Sequence, residues 1–184
     1  MSKFPFESEI VNRRQNEYAV IIYLPDNLDR IITPFREKYD PIYKQVSSHI
    51  TLTFPFQTSK ALDDLSDQIK SAISGTNPFA VELESINDFY PKSPVIFWSI
   101  KENKQLCELY YNLYSKLEIP IPHKKFIPHV TLAREISFHR VEIVKDSIAS
   151  YLPSETFFAE GVDLVTPLAD FKWVSVRTFG FDII

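Results

Sequence analysis

Glycine is scarce in this chain, with 3 residues among 184. A loop that cradles a phosphate with its backbone needs several glycines close together, because only glycine lets the main chain approach the phosphate so closely. Gly75, Gly161 and Gly180 are too scattered to build such a loop. The sequence therefore excludes the nucleotide-binding proteins that depend on one.

Cysteine and long apolar runs are also nearly absent. Cys107 is the only cysteine, which excludes an intramolecular disulfide and a zinc site made of cysteines. No stretch is long and apolar enough to span a membrane. Residues 1–17 carry several charges and no apolar run of the signal-peptide kind. These absences predict a soluble protein of the cytoplasm.

An excess of positive charge is missing too. The 20 lysine and arginine residues are outnumbered by 24 aspartate and glutamate residues, and the formal net charge is -4. Proteins that coat DNA or RNA need a basic surface that neutralises many phosphates. The charge balance therefore argues against a DNA duplex as partner. It favours a nucleotide or an RNA end, bound in a small basic pocket.

Hydrophobic residues make up 45% of the chain, enough to fill one core, and 13 prolines mark most element boundaries. Strands are predicted at 17–24, 47–54, 79–89, 95–100, 129–134, 156–165 and 171–179. Helices are predicted at 59–74, 102–117 and 137–152, and around 28–35. Pro34 must either kink this first helix or lie in the first turn of a later one.

The predicted elements follow one order twice. Strand, helix, strand, helix, strand runs once over roughly 17–89 and again, with one strand added, over roughly 94–180. This predicts an α+β class: a duplicated two-lobed fold with pseudo-two-fold symmetry, antiparallel-rich sheets facing a central cleft, and helices outside. No flexible linker separates the halves, so residues 1–184 are predicted to form a single two-lobed domain that acts as a monomer.

One four-residue pattern occurs at equivalent places in the two repeats. His49-Ile50-Thr51-Leu52 and His129-Val130-Thr131-Leu132 each lie on the second strand of their half. Residues i and i+2 of a strand point to the same face. Each histidine therefore shares a face with its threonine, while the apolar residues face the core. A two-fold axis between the halves would bring both His–Thr pairs together around a space of phosphate size.

These residue types suffice for hydrolysis of a phosphodiester without a metal or cofactor. Of His49 and His129, one neutral imidazole can take a proton from the attacking water while the other, protonated, donates to the leaving oxygen. The hydroxyls of Thr51 and Thr131 can bind the non-bridging phosphate oxygens, where charge develops. The near-symmetry leaves open which histidine is the base. Such a pair predicts a bell-shaped kcat/KM with limbs around pH 6 and 8.

A metal site made of the two histidines is the alternative interpretation. Neither strand offers a third histidine or a carboxylate as a further ligand, as a zinc site would need. The sequence therefore predicts no metal at His49 and His129.

On these two segments the sequence resembles the two-histidine phosphoesterase superfamily, which is defined by two His-x-Thr motifs in a pseudo-symmetric, two-lobed fold. Residues 49–54 and 126–134 resemble the two motifs of one branch, the 2′-5′ RNA ligases and RNA 2′,3′-cyclic phosphodiesterases. The resemblance implies hydrolysis of a cyclic phosphodiester, typically the opening of a 2′,3′-cyclic phosphate to a 2′-phosphate. It does not fix the substrate, because members act on RNA ends, 2′-5′ oligonucleotides and small cyclic nucleotides.

The resemblance also implies that Phe54 and Arg134, each five residues after its histidine, can contact the base and the phosphate. Five is an odd number, so a regular strand would turn both side chains away from the histidine face. A bulge or the end of the strand could bring them back. The alternative is a core phenylalanine and a solvated arginine.

Other functions stay open. The fold could serve as an RNA- or nucleotide-binding module with little turnover, although a pure binder needs no paired acid and base. It could also hydrolyse a non-RNA ester, such as a phosphate linked to a protein or a metabolite. RNA ligation would be hydrolysis in reverse, and the sequence contains no nucleotide-activation motif to drive it.

Overall fold

The structure, a computed structural model, describes residues 16–182. The N-terminal stretch, in which the sequence predicts no signal peptide, lies almost entirely outside the described residues. Within 16–182 the chain forms nine strands and four α-helices. The strands are β1 (Glu17–Tyr23), β2 (His49–Thr51), β3 (Phe56–Gln57), β4 (Phe79–Asp88), β5 (Ile96–Ile100), β6 (His129–Ala133), β7 (Glu155–Ala159), β8 (Gly161–Pro167) and β9 (Trp173–Gly180). The helices are α1 (Asp26–Tyr39), α2 (Leu62–Ile73), α3 (Lys104–Leu117) and α4 (Val141–Ala149), and a 3-10 turn at Phe138–Arg140 precedes α4.

The described strands form one curled antiparallel sheet. Their order is β7-β4-β5-β6-β2-β1-β8-β9, with β3 beside β1. The pair β6–β2 lies in the middle, and β5 flanks β6 as β1 flanks β2. This arrangement confirms the predicted α+β fold, in which two similar halves face a central cleft and helices lie outside.

On each side of the central β6–β2 pair, the sheet contains strands from both halves of the sequence. The last strand of the first repeat, β4, pairs with β5 and β7. On the other side, β8 of the second repeat pairs with β1 of the first. The halves are therefore joined by exchanged strands as well as by the β2–β6 pairing. The repeat boundaries at 17–89 and 94–180 stay a prediction.

The helices cover one face of the sheet, and the main core lies between the two layers. Ile50 of β2 and Val130 of β6 point into it and are fully buried. The helices contribute apolar residues three or four positions apart, as amphipathic helices do. These are Leu28 and Ile32 of α1, Leu65, Ile69 and Ile73 of α2, Leu106, Leu109, Leu113 and Leu117 of α3, and Val141, Val144 and Ile148 of α4. No helix in the described part of the chain is both long and apolar enough to cross a bilayer.

Helix α1 runs through Pro34, so no second helix begins at this proline. Proline has no N–H to donate to the carbonyl of the fourth preceding residue, Arg30. Both residues are exposed, and water can take the place of the missing donor.

The prediction of one strand over 156–165 is wrong. The chain forms β7 and β8 with a single residue between them, and these strands pair with different partners. The burial pattern changes phase at the break, because Phe157 and Ala159 are buried in β7 but Val162 and Leu164 in β8. A regular strand buries every second residue, so this shift requires an interruption.

The strand predicted over 47–54 is shorter than expected, since β2 ends at Thr51. The carbonyl of Val20 accepts hydrogen bonds from the N–H groups of both Leu52 and Thr53. Two residues of one strand thus oppose one of its neighbour, which is a bulge. The bulge ends the regular ladder directly after the first His-x-Thr motif.

Candidate active site

The two motifs lie next to each other on one face of the sheet. Strands β2 and β6 are antiparallel neighbours, with Ile50 opposite Val130. This register puts His49 opposite Thr131 and Thr51 opposite His129. All four side chains point away from the buried Ile50–Val130 pair and hence into the cleft. Side chains directly opposite each other on antiparallel strands have Cβ atoms about 5 Å apart, so the four groups form a compact cluster.

Each imidazole is held by the carbonyl group two residues before it. Nδ1 of His49 lies 2.8 Å from the Ser47 oxygen, and Nδ1 of His129 lies 2.7 Å from the Ile127 oxygen. A carbonyl oxygen only accepts hydrogen bonds, so Nδ1 carries the proton in both rings. In the neutral rings, Nε2 is then the nitrogen that can accept a proton from a ligand.

The aromatic surroundings of the two histidines differ. The rings of Phe97 and Phe89 lie 5.0 and 5.1 Å from the ring of His129, and they stack on each other at 4.3 Å. On the other side Tyr23 of β1 is opposite His49. Burial is the main cause that raises the pKa of the Tyr23 phenol, which therefore stays uncharged at neutral pH. The two sides of the cleft thus present different surfaces to a ligand.

Burial lowers the pKa of both imidazoles. The rings keep some exposed surface, but the curled sheet surrounds them. The pKa of His49 falls from 6.5 to about 4, chiefly because burial disfavours the charged ring. The positive charges of Arg36 and Arg134 and a charge on His129 lower it further, while the bond to Ser47 opposes the shift. The pKa of His129 is lowered by burial first and by the charge of Arg134 second. Both rings are therefore neutral at pH 7 in the free protein.

The two motif threonines have hydroxyls to offer a ligand. Thr51 and Thr131 are partly exposed, and their hydroxyls bond to no residue within 16–182. Thr53, two positions further along, is fully buried, and its Oγ1 accepts a 2.8 Å hydrogen bond from the N–H of Val20. Thr53 therefore has a structural role, whereas Thr51 and Thr131 face the cleft.

Arg134 lies within electrostatic reach of both histidines. Strand β6 ends one residue before it, so the alternation of the strand no longer dictates its direction. Its Nε lies 2.9 Å from Asp40 Oδ1, and its side chain is 28% exposed. Its charge acts on the pKa of both His49 and His129. Arg134 is therefore an ion-paired and largely buried residue, not the solvated arginine of the alternative interpretation.

Phe54 is not brought into contact with the histidines. Its side chain is 60% exposed, and its backbone N–H donates to the hydroxyl of Tyr114 on α3 at 3.1 Å. No ring contact joins it to another aromatic side chain within the described residues. The alternative of a core phenylalanine is wrong.

Sequence reasoning missed Arg36 and Asp40. Both are buried at the end of α1, where they form an ion pair and contact Ser48 and Arg134. The only signal in the sequence is an arginine four residues before an aspartate on a helix. That spacing is typical of exposed helix surfaces, so it does not indicate a site.

The described residues do not group into a metal site. Within 16–182, no three side chains among histidine, cysteine, aspartate and glutamate lie close enough together to hold an ion. The site offers instead two imidazoles, two hydroxyls and one guanidinium.

Comparison with known proteins places this geometry in a family context. The family model described as the 2'-5' RNA ligase superfamily matches residues 24–170, which include both motifs. The protein named "Putative phosphoesterase BH1439", from Halalkalibacterium halodurans, is 26% identical over 166 residues, covering 88% of this chain and 95% of the relative. A protein of the same description from Shouchella clausii is 32% identical over 124 residues, covering 64% of this chain and 70% of the relative.

Solved structures with the same fold include E. coli LigT and TT0787 of Thermus thermophilus. LigT complexed with 3'-AMP has a TM-score of 0.66 at 17% identity, and the match covers 94% of this chain and 99% of LigT. TT0787 has a TM-score of 0.64 at 20% identity, with 90% and 97% coverage. LigT has also been crystallised with ATP and with NADP+. At these identities the likeness shows the fold.

Proposed function

Since the chain belongs to the 2′-5′ RNA ligase superfamily, we propose that it is a phosphoesterase that hydrolyses a nucleotide or RNA phosphodiester without a metal ion. The substrate is a 2′,3′-cyclic phosphate, which is opened to a 2′-phosphate. His49 and His129 are the acid–base pair, Thr51 and Thr131 bind the phosphate, and Arg134 neutralises its charge.

One observation carries the proposal: Ile50 pairs with Val130. Through this register each histidine faces the threonine of the other motif, and neither motif alone would supply the whole set. The anchored Nδ1 atoms further support it, because each ring keeps Nε2 for proton transfer. Diagonal neighbours on paired strands are about 7–8 Å apart, a separation that leaves room for a phosphate between the two imidazoles.

The proposed reaction balances within this set. Water attacks the phosphorus atom while Nε2 of one neutral imidazole takes its proton. The bond from phosphorus to O3′ breaks, and O3′ receives a proton from the other, protonated imidazole. The phosphate stays on O2′. The hydroxyls of Thr51 and Thr131 donate to the non-bridging oxygens as charge builds up on them. The orientation of the substrate decides which histidine acts as the base.

The substrate class is supported by the similar structures. E. coli LigT has been crystallised with 3'-AMP, ATP and NADP+, so this fold accommodates adenine nucleotides in that protein. Of the two rings beside His129, Phe97 is buried, but Phe89 is partly exposed and would suit a nucleobase, since bases stack on aromatic side chains. A monomeric state and a cytoplasmic location are proposed from the sequence alone.

A substrate panel tests the function. We expect the protein to hydrolyse 2′,3′-cyclic mononucleotides or cyclic-phosphate-ended RNA, with ³¹P NMR identifying a 2′-phosphate as the product. The same panel includes 2′-5′ dinucleotides and a simple aryl phosphodiester. Binding without turnover would instead support the nucleotide-binding module, and turnover of the aryl ester alone would support a non-RNA substrate. A 3′-phosphate product would contradict the proposed bond cleavage.

The metal-free mechanism needs its own measurement. Turnover should be unchanged in excess chelator, because the five side chains supply every catalytic role. Activity that disappears with chelator and returns with a divalent cation would contradict it.

A further inference from the structure

A buried ion pair, Arg36 with Asp40, lies at the end of α1. Nε and Nη2 of Arg36 lie 3.2 and 3.0 Å from Oδ2 of Asp40, one helical turn further on. The two side chains are 5% and 0% exposed. Removing two charges from water largely offsets their attraction, so a buried ion pair adds little net stability over an apolar pair of the same size. Its burial is better explained by the groups that it holds in place.

Asp40 reaches the second motif with its other oxygen. Oδ1 lies 2.9 Å from Arg134 Nε and 3.3 Å from the N–H nitrogen of Ile42. The backbone N–H of Arg134 also donates to the carbonyl of Tyr39. The contact to Nε is an ion pair without aligned hydrogen-bond geometry. The two Nη groups of Arg134 carry four of the five donor hydrogens of its guanidinium. Within 16–182 these groups have no hydrogen-bond partner, so a ligand can use them.

Arg36 reaches the first motif. Its Nη1 donates to Ser48 Oγ and its Nη2 to the carbonyl of Val46, both at 3.0 Å. These two residues border Ser47, whose carbonyl anchors the ring of His49. A single ion pair thus contacts the segment before the first histidine and the arginine after the second one.

The corresponding place in the other half is different. Helix α3 ends before Glu118, whose carboxylate lies 2.6 Å from Lys60 but is 72% exposed. Phe54 follows the first motif at the position that Arg134 holds after the second. Among the described residues, a buried ion pair such as Arg36–Asp40, in contact with Arg134, therefore lies on only one side of a site that is otherwise nearly symmetric.

We propose that Asp40 and Arg36 are positioning residues: they fix the Arg134 guanidinium beside the two His–Thr pairs, so that its uncommitted Nη groups bind one side of the phosphate. The inference deepens the proposed function and rests on it. An arginine that is held in place loses little side-chain freedom when it binds an anion, and its planar fork suits two phosphate oxygens. Asp40 balances the two guanidiniums, which would otherwise repel each other.

The test is a double-mutant cycle on Asp40 and Arg134. The dissociation constant of inorganic phosphate and the KM for a 2′,3′-cyclic nucleotide are measured for wild type, Asp40→Asn, Arg134→Ala and the double variant. Each single change should weaken phosphate binding by about ten- to hundred-fold, the range of one charged hydrogen bond. The double variant should bind phosphate no more weakly than Arg134→Ala, because Asp40 acts through Arg134. A purely structural Asp40 would lower Tm and add its full effect in both backgrounds.

Two further variants keep the outcome decisive. Glu118→Gln removes the carboxylate at the equivalent end of α3 and should leave phosphate binding unchanged. If Asp40→Asn does not fold, Asp40→Glu keeps the charge but displaces the carboxylate, and it should give a smaller loss that again vanishes with Arg134→Ala.

The results separate the inference from the proposed function. A folded Asp40 variant with wild-type phosphate affinity would overturn the inference, as would a loss that persists in full without Arg134 or a wild-type protein that does not bind phosphate. Phosphate binding that depends on Asp40 and Arg134, in a protein that hydrolyses none of the phosphodiesters, would instead contradict the proposed function and support the inference.

Discussion

The Nδ1–H groups of His49 and His129 are both committed to backbone carbonyls, and this fixes what each ring can do. A ring anchored in this way can exchange protons with a ligand only through Nε2. In their neutral forms the two histidines therefore have the same tautomer, and both exchange protons through Nε2. Their functional difference arises from what surrounds them.

Alanine at either histidine should lower kcat/KM for a cyclic nucleotide by about 10²- to 10⁴-fold, because each ring supplies one general acid or base. The double variant should be scarcely worse than the poorer single variant, since the pair works as a unit. His139→Ala, on the exposed 3-10 turn, is the matched control and should keep wild-type activity. Circular dichroism checks folding; a folded His49→Ala or His129→Ala protein with near-normal turnover contradicts the assignment.

Thr51 and Thr53, two residues apart, are expected to differ: substitution of Thr51 should affect catalysis, and substitution of Thr53 should affect the free energy of unfolding. Thr51→Ala, and equally Thr131→Ala, should lower kcat at least as much as it raises KM, with little change in the free energy of unfolding, because the hydroxyl bonds to no described residue. Thr53→Val should leave kcat unchanged but cost about 1–3 kcal/mol of stability, because the N–H of Val20 loses its acceptor. Steady-state kinetics and urea unfolding measure both. The reverse pattern would place Thr53, not Thr51, in the site.

The motif residues could be predicted from the sequence because strand periodicity alone decides which face they share. The direction of the Arg134 side chain could not be predicted from its distance of five residues from His129, because β6 ends before Arg134 and strand alternation no longer applies there. Arg36 and Asp40 could not be predicted at all. Their burial depends on where α1 packs relative to β6, and no local pattern records that.

Among the elements, helices were easier to predict than strands. The apolar residues of α3, with Leu106, Leu109 and Leu113 on one face, repeat at helical spacing over several turns. The short strands carry less signal. The prediction of one strand over 156–165 overlooked a change in the alternation of apolar residues, which stand at odd positions such as Phe157 before the break and at even positions such as Val162 after it. The break becomes clear only from the pairing, since β7 and β8 lie on opposite sides of the central β6–β2 pair.

Gly161, the first residue of β8, lets the backbone of β9 approach closely. It is opposite Gly180, and a Cβ at Gly161 would clash with the carbonyl oxygen of Phe179. Gly161→Ala should therefore destabilise the protein by roughly 1–3 kcal/mol, as overpacking does. Gly180→Ala is the control, because its Cβ would meet the nearest atom, the Glu160 oxygen, at 4.0 Å. Urea unfolding compares the two; equal stability would mean that the backbone at Gly161 can shift without cost.

For the whole molecule, the repeated order of elements was readable but the exchange of strands was not. Pairing of β4 with β5 and of β8 with β1 joins segments from different halves of the sequence. Which strand lies beside which depends on contacts far apart in the chain, and local patterns do not contain them. The same curled sheet produces the concave surface that buries both imidazoles, so the ionisation of the site is a property of the fold.

The pH dependence of activity follows from this burial. Both imidazole pKa values are lowered, that of His49 to about 4 and that of His129 to below 6.5. The proposed reaction needs one neutral and one protonated ring. In the free protein kcat/KM should therefore rise as pH increases past the lower pKa and fall again as pH passes the higher one. These two apparent pKa values belong to the coupled pair of histidines and not to either residue alone. The bell should lie on the acid side of neutrality, below the limbs around pH 6 and 8 that the sequence alone predicts.

Removing the positive charge that faces both rings should move this bell. Arg134 lowers the pKa of both imidazoles, so Arg134→Gln should raise both values and shift the kcat/KM profile to higher pH, whatever its effect on the maximum. Bound phosphodiester is an anion and raises the imidazole pKa values, so the wild-type kcat profile should lie at higher pH than that of kcat/KM. Glu118→Gln, which removes an exposed charge at the far helix end, should shift neither profile. Rates measured from pH 4 to 9 at constant ionic strength test the shift. Coincident kcat/KM profiles for wild type and Arg134→Gln would show that the guanidinium does not act on His49 and His129.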